Sequence, residues 1–532
     1  MLNPTRGTRG MAVAPHALAA QSALAVLREG GNALEAMVAA AATIAVVYPH
    51  MNSLGGDSFW LVHVPGREPR GIDACGAAAQ AASIDWYAQR GVQGSIPFRG
   101  GVAANTVAGT ISGWQLAFEA SRELGGRLPL ARLLEDAIHY AEHGIPVTAS
   151  QNTATAAKRA ELVPQPGFAH AFLPGGGVPA TGSRFVQSRI AATLRRLGTA
   201  GLGDFYRGEL ARANAADLAA AGSPLALADL ENHRAQWRKP LVLDHSLGGA
   251  YNMPPPTQGL VSLLILGMLD RLEIGKLAPL GADYVHLAVE AVKQAFAIRD
   301  RHITDPGYMT VDPQGFLAPD RIRGLADRID PAHAAPWGAG KAPSDTIWMG
   351  VIDGEGRAVS FIQSLYHEFG SGVVLASSGI CWQNRGCSFS LDRQALNALA
   401  PGRKPFHTLN PALALLKDGR TMVYGNMGGD GQPQTQSAVF TRTLVYGMTP
   451  QAAISAPRWL LGRTWGQTTD TLKLESRFAP EVIEDLRRRG HDVEVLGAFD
   501  ETVGHAGCVL RHRDGSFEGG ADPRSDGAVA AF

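Results

Sequence analysis

The stretch PSDTIWMGVIDGEGRAVSFIQSLYHEFGSGVV runs from Pro343 to Val374. Apolar residues from Ile347 to Ile352 and from Ala358 to Ile362 flank Asp353-Gly354-Glu355-Gly356. Two such runs about a polar, glycine-containing turn predict a β-hairpin. Thr346 stands at the entrance to the first strand, behind the polar, proline-marked run Gly340 to Asp345. A threonine hydroxyl is a weak nucleophile unless a base takes its proton, and the residue's own α-amine can do so once the preceding peptide bond is cut. A threonine opening a core strand behind a cleavable polar segment meets that demand. A threonine chosen for β-propensity alone fits the local pattern as well, so the hairpin by itself leaves both readings open.

Outward from the hairpin, the N-terminal third reads as mostly helical. HALAAQSALAVLREGG ends at Gly30-Gly31, a helix stop, and Asn32 is placed to cap the following helix, ALEAMVAAAATIAVVYP, which ends at Pro49. SFWLVHV and RGIDAC read as paired strands across Pro65-Gly66, and further helices are expected over 111–123, 128–143 and 188–197. QGLVSLLILGMLDRL and ADYVHLAVEAVKQAFAIRDRH carry helical apolar spacing. After Pro343 strands dominate: the hairpin, then GVVLASSGICW, then ALALLKDGRTMVYG about Lys417-Asp418-Gly419, with a helix-turn-strand in APEVIEDLRRRGHDVEVLG and a last hairpin in the tail. Helices, strands, a helical layer and strands again favour α+β with α/β/β/α layering over a βαβ repeat.

At 532 residues the chain exceeds a single ordinary core. Lys+Arg and Asp+Glu are both 48, which gives no electrostatic reason to expect a nucleic-acid partner. Cys75, Cys381, Cys387 and Cys508 form no metal-ligand spacing and read as reduced thiols of a cytoplasmic protein. The N-terminus lacks a sustained apolar run, and Ala36 to Val47 is too short to span a bilayer, so neither a signal peptide nor a membrane partner is expected. No G-K-[ST] follows the glycines at 428–431, and G-x-S-x-G and H-E-x-x-H are absent. Neither a cofactor nor a metal is expected.

Seven segments, in order, resemble the γ-glutamyltranspeptidase family of threonine N-terminal-nucleophile hydrolases: GGNALEAMVAA, PHMNSLGGDSFWLV, NTVAGTISGW, AVEAVKQAFAIRDRHITDP, the hairpin from Asp345, GNMGGDGQPQT and GGADPRSDGAVAAF. The resemblance implies a four-layer α/β/β/α sandwich and a proenzyme cut between Asp345 and Thr346. Residues 1–345 would form the large fragment and 346–532 the small one, both intertwined in one unit as a heterodimer; whether such heterodimers pair is left open. It implies Thr346 as nucleophile, Ser364 as a supporting hydroxyl, and Gly428 and Gly429 as backbone donors of an oxyanion hole.

The head-group positions depart from the family. Ile84 stands where its arginine is expected, Ser388 where its aspartate is expected, Tyr366 replaces an asparagine, and His407-Thr408 replace paired serines. A γ-glutamyl group would lose its charged partners. Arg385, inside QNRGCSF, would repel an ammonium and attract a carboxylate, and Tyr366, His407 and Thr408 would line a smaller pocket. This pattern resembles family members that hydrolyse oxamate to oxalate and ammonia in purine-ring degradation. A γ-glutamyl hydrolase or transpeptidase, a β-lactam side-chain acylase, and an uncleaved binding protein are the alternatives; a nucleotide-binding module is a remote fourth.

Overall fold

In the computed structural model, residues 3–338, 345–463 and 469–532 are described. Two antiparallel seven-stranded sheets lie face to face. The first runs, edge to edge, Ala528–Ala531, Gly10–Ala14, Asp345–Asp353, Ala358–Tyr366, Asp57–His63, Arg70–Ala74, Gln236–Arg238. The second runs Thr5–Gly7, Phe517–Ala521, Ala506–Arg511, Thr421–Asn426, Ala412–Leu416, Gly248–Asn252, Leu241–His245. Each sheet therefore mixes strands from before and after residue 345.

Period-two alternation in the hairpin sorts its side chains between two cores. Ile347, Met349, Val351, Val359 and Phe361 face the N-terminal helices. Trp348, Ile352, Ala358 and Ile362 join Phe59, Leu413, Val423 and Val509 between the sheets. A third core sets helices Gly259–Arg271, Ala282–His302 and Gly431–Phe440 against the far face of the second sheet. Helix, sheet, sheet and helix make the expected four-layer sandwich. Trp348 fixes the sheet spacing: its Nε1 donates to Ser360 Oγ at 2.9 Å, and a Cβ on Gly425 of the facing strand would come within 2.2 Å of its ring.

The helix Ala33–Val47 is buried on every side, as an all-apolar sequence requires. Asn32 caps it in a capping box with Glu35. The other predicted N-terminal helices lie at Thr110–Glu123, Leu130–His143 and Ser188–Ala200. One sequence expectation fails. The run GVVLASSGICW forms no sheet strand; Val374 and Cys381 make only an isolated bridge. Val373, Val374 and Leu375 are buried against the helical core instead, so their apolar character reflects burial, not pairing. No helix among the described residues is long and apolar enough to cross a membrane.

Candidate active site

Thr346 is fully buried as the second residue of its strand. The polar run from Gly340 to Ser344 lies outside the described residues. Asp345 pairs with Tyr366, and Ile347 with Gln363, so two residues, Ser364 and Leu365, oppose the single Thr346. This is a β-bulge, a device that re-aims side chains beside active sites. Ser364 pairs in turn with Asp57 on the next strand. Thr346 shares parity with Trp348, and Asp57 with Phe59, so both belong to the face turned toward the second sheet. Past the bulge, Tyr366 adopts φ 85°, a strained conformation for a bulky residue costing about 1–3 kcal/mol, and its N–H donates to Ser364 Oγ at 2.8 Å.

The second sheet contributes a glycine corner. Between Asn426 and the helix Gly431–Phe440 the chain passes through Gly428 at φ 113° and Gly429 at φ 51°. Side-chain-bearing residues rarely reach the first of these. The corner is gripped from behind. Gln258 Nε2 donates to the carbonyls of Gly429 and Thr408, each at 2.9 Å, and Arg299 donates to Gln258 Oε1 at 3.1 Å and to Asp430 Oδ1 at 2.6 Å. The Arg299–Asp430 pair is wholly buried. Backbone N–H groups in such a corner, opening a helix N-terminus, suit a developing oxyanion.

Arg385 begins a single 3₁₀ turn, Arg385–Ser388. The turn is fixed by Gln383 N–H to the Gly55 carbonyl at 2.9 Å and Asn384 N–H to that of Leu365 at 3.1 Å. A Cβ on Gly386 would fall 1.6 Å from Asn105 Oδ1. The Arg385 guanidinium lies 4.0 Å from the Tyr366 ring centroid. It is 1% exposed, and neither Nη1 nor Nη2 has a hydrogen-bond partner among the described residues. Burial lowers its pKa from the ordinary arginine value.

Beside it, Asp57 Oδ1 accepts from the N–H groups of Gly76 and Gly109, both at 3.0 Å. Oδ2 lies 3.2 Å from His407 Nε2, but out of line for a hydrogen bond. Burial pushes the Asp57 carboxyl up to about 6 and holds His407 well below its ordinary value, so the imidazole is neutral. Donor atoms of Asp57, Cys75 and His407 fall within 4.8 Å of one another. Burial raises the Cys75 thiol well above its usual range, and the positive Arg385 acts on both Asp57 and Cys75. A second such group, His286, Glu290 and His491, is occupied internally: Glu290 by Lys293 and the Ala335 N–H, and His286 by His491 and the Asp330 carbonyl.

The γ-glutamyltranspeptidase family model matches residues 19–532. The chain belongs to that family. A Klebsiella pneumoniae protein described as an oxamate amidohydrolase proenzyme is 61% identical over 99% of both chains. A Bacillus subtilis glutathione hydrolase-like proenzyme, YwrD, is 41% identical over 99% of both. The crystal structure of a cephalosporin acylase from Bacillus halodurans superposes with a TM-score of 0.90 at 32% identity, covering 100% of this chain and 97% of that one. Like these relatives, this transpeptidase-family chain is an amide-bond hydrolase.

Within the family fold, the expected residues sort by position. Thr346, Ser364 and Tyr366 share one hairpin, Arg385 lies over Tyr366, and Gly428 and Gly429 form the corner opposite. His407 is gripped with that corner, since Gln258 donates its N–H to the His407 carbonyl at 2.9 Å. Thr408 contributes its carbonyl to Gln258. Ser388 Oγ donates to the Phe406 carbonyl at 3.3 Å. Ile84 packs against the helical core; from its segment it is Cys75 that approaches Asp57 and His407. Sequence reading missed Asp57, Cys75, Gln258, Arg299 and Asp430. Only Asp57 carried a signal, as an acid opening the otherwise apolar strand DSFWLVH.

Proposed function

We propose that the chain is a self-processing amidohydrolase that converts oxamate and water to oxalate and ammonia, in the purine-ring degradation where the resembling family members act. Arg385 carries this reading: a buried guanidinium over the Tyr366 ring, with neither terminal nitrogen hydrogen-bonded among the described residues. Guanidinium N–H groups left unbonded in a buried site are costly, and a small carboxylate bound bidentately satisfies them. A γ-glutamyl head group would place its ammonium against this cation.

In the proposed sequence Thr346 Oγ first attacks the Asp345 carbonyl. The acyl group shifts from nitrogen to oxygen, and water cleaves the ester, leaving residues 1–345 and 346–532 as separate chains in one fold. The freed α-amine then takes the Oγ proton as Oγ adds to the oxamate amide carbon. Negative charge on the amide oxygen is received by the N–H groups of Gly428 and Gly429. The intermediate expels ammonia, which takes the proton back from the amine. Water attacks the resulting Thr346 ester and releases oxalate. The test is ammonia release from oxamate by the purified protein, with Thr346→Ala as control. Wild type should turn over oxamate and migrate as two fragments under denaturing conditions; the variant should do neither. A variant that still splits at 345–346 would exclude Thr346 as the nucleophile.

A further inference from the structure

Asp57 has no role in the scheme above, although it is buried within 3.2 Å of His407 and under the influence of Arg385. Its Oδ1 accepts from two backbone N–H groups, whereas Oδ2 has no well-aligned hydrogen bond among the described residues, although the Gln383 side chain acts on the carboxylate. On His407 neither ring nitrogen has one. The charge balance is restrictive. With Asp57 ionised, Arg385 already has a carboxylate for company, and an incoming substrate carboxylate would make two buried anions for one buried cation. Like charges brought together out of water cost far more than they do in solvent.

We infer that Asp57 is a proton-accepting counter-ion whose protonation admits the substrate carboxylate, and that His407 changes tautomer in the same step. Before binding, ionised Asp57 accepts from His407 Nε2–H once a small ring rotation aligns them, leaving a lone pair at Nδ1. On binding, one proton from solvent is taken up at Nδ1 while the Nε2 proton passes to Asp57 Oδ2. The imidazole stays neutral, as its burial requires. Nδ1 becomes a donor, which suits an anion, and Asp57 becomes uncharged. A divalent metal among Asp57, Cys75 and His407 is the less favoured occupant, because it would place a second cation beside Arg385.

The titratable and charged groups around Asp57 come from every side. Cys75 and the Lys404–Asp73 pair lie toward the neighbouring strand. His233 and Tyr206 lie on the helical side, and His407 and Arg385 complete the surroundings. Cys75 and Tyr206 are raised by burial and His233 is lowered to about 4, so none of them changes charge near neutrality. Glu368, two residues past Tyr366 and pushed up to about 7 by burial, also titrates there, as does the freed Thr346 amine, at about 7.7–8.0 when unperturbed.

This inference rests on Arg385 holding a carboxylate, and the test separates the two. Oxalate, the non-reacting product anion, is titrated into the processed enzyme by calorimetry, in buffers of different ionisation enthalpy, from pH 6 to 8.5. Wild type should take up close to one proton per oxalate at pH 8. Its Kd should rise nearly tenfold per pH unit once Asp57 is ionised in the free enzyme, above about 6. Asp57→Asn should bind without proton uptake and with a flat Kd. The wild-type measurement stands alone should that variant not fold. Binding without proton uptake in the wild type overturns the inference while leaving the Arg385 reading intact. A pH slope retained in Asp57→Asn assigns the proton to another group, the Thr346 amine or Glu368, and overturns it too. A stoichiometric metal whose chelation abolishes binding would replace it with a metal centre. Absence of oxalate binding at every pH removes the Arg385 reading, and this inference with it.

Discussion

At Arg385 a full charge sits 1% exposed on the Tyr366 ring, with neither Nη atom hydrogen-bonded among the described residues. Removing one member of a buried, hydrogen-bonded charge pair costs roughly 2–5 kcal/mol. Arg385→Gln should therefore lower kcat/KM for oxamate by about two orders of magnitude, mainly through KM, at about 1.4 kcal/mol per tenfold. Self-cleavage should be unaffected, since it breaks the Asp345–Thr346 peptide bond and involves no bound oxamate; a gel and steady-state kinetics check both. Gly428 makes a different demand. At φ 113° an alanine is strained wherever its Cβ points, and the corner must move to relieve it. Gly428→Ala should cut kcat by about 10²–10³, the loss seen for one oxyanion donor, with KM for oxamate little changed. An unchanged kcat would place the oxyanion elsewhere.

The hairpin was legible in the sequence because its signal is local: two apolar runs, a polar turn, and a threonine at the threshold. Asn32 and its helix were legible for the same reason, since capping chemistry lies within four residues. Val373 to Leu375 misled because apolar composition reports burial and does not say whether a partner strand is present. The bulge opposite Thr346 was invisible, because it is a property of how two strands register. So was the brace behind the glycine corner, where Arg299, Gln258 and Asp430 meet from three distant segments. That brace is testable. Arg299→Met would take from the buried Asp430 the cation it pairs with, a loss of about 3–5 kcal/mol. It should lower the urea midpoint and, by freeing the corner, reduce kcat. An unaltered midpoint would show that the corner is held by its backbone alone.

Across the whole molecule, the strands Asp345–Asp353, Ala358–Tyr366 and Ala528–Ala531 are interleaved with strands from the first 74 residues in one sheet, and the second sheet is mixed in the same way. Cutting one bond at the mouth of a central strand leaves every one of these pairings in place. The two fragments should therefore co-elute on size exclusion without denaturant, and 346–532 expressed alone should show no cooperative unfolding. The layering was readable from the order of helical and strand-rich segments. The site was readable only in pieces, because His407 meets Asp57 and Cys75 from more than 300 residues away, and one sequence carries no record of that meeting. The central claim is that the pocket takes a small amide bearing a carboxylate. Its most direct test is kcat/KM of the processed enzyme for oxamate, for its neutral ethyl ester and for γ-glutamyl-p-nitroanilide. Oxamate should run far ahead of both, with the advantage over the ester lost in Arg385→Gln. Equal turnover of the ester, or preference for the γ-glutamyl amide, would contradict it.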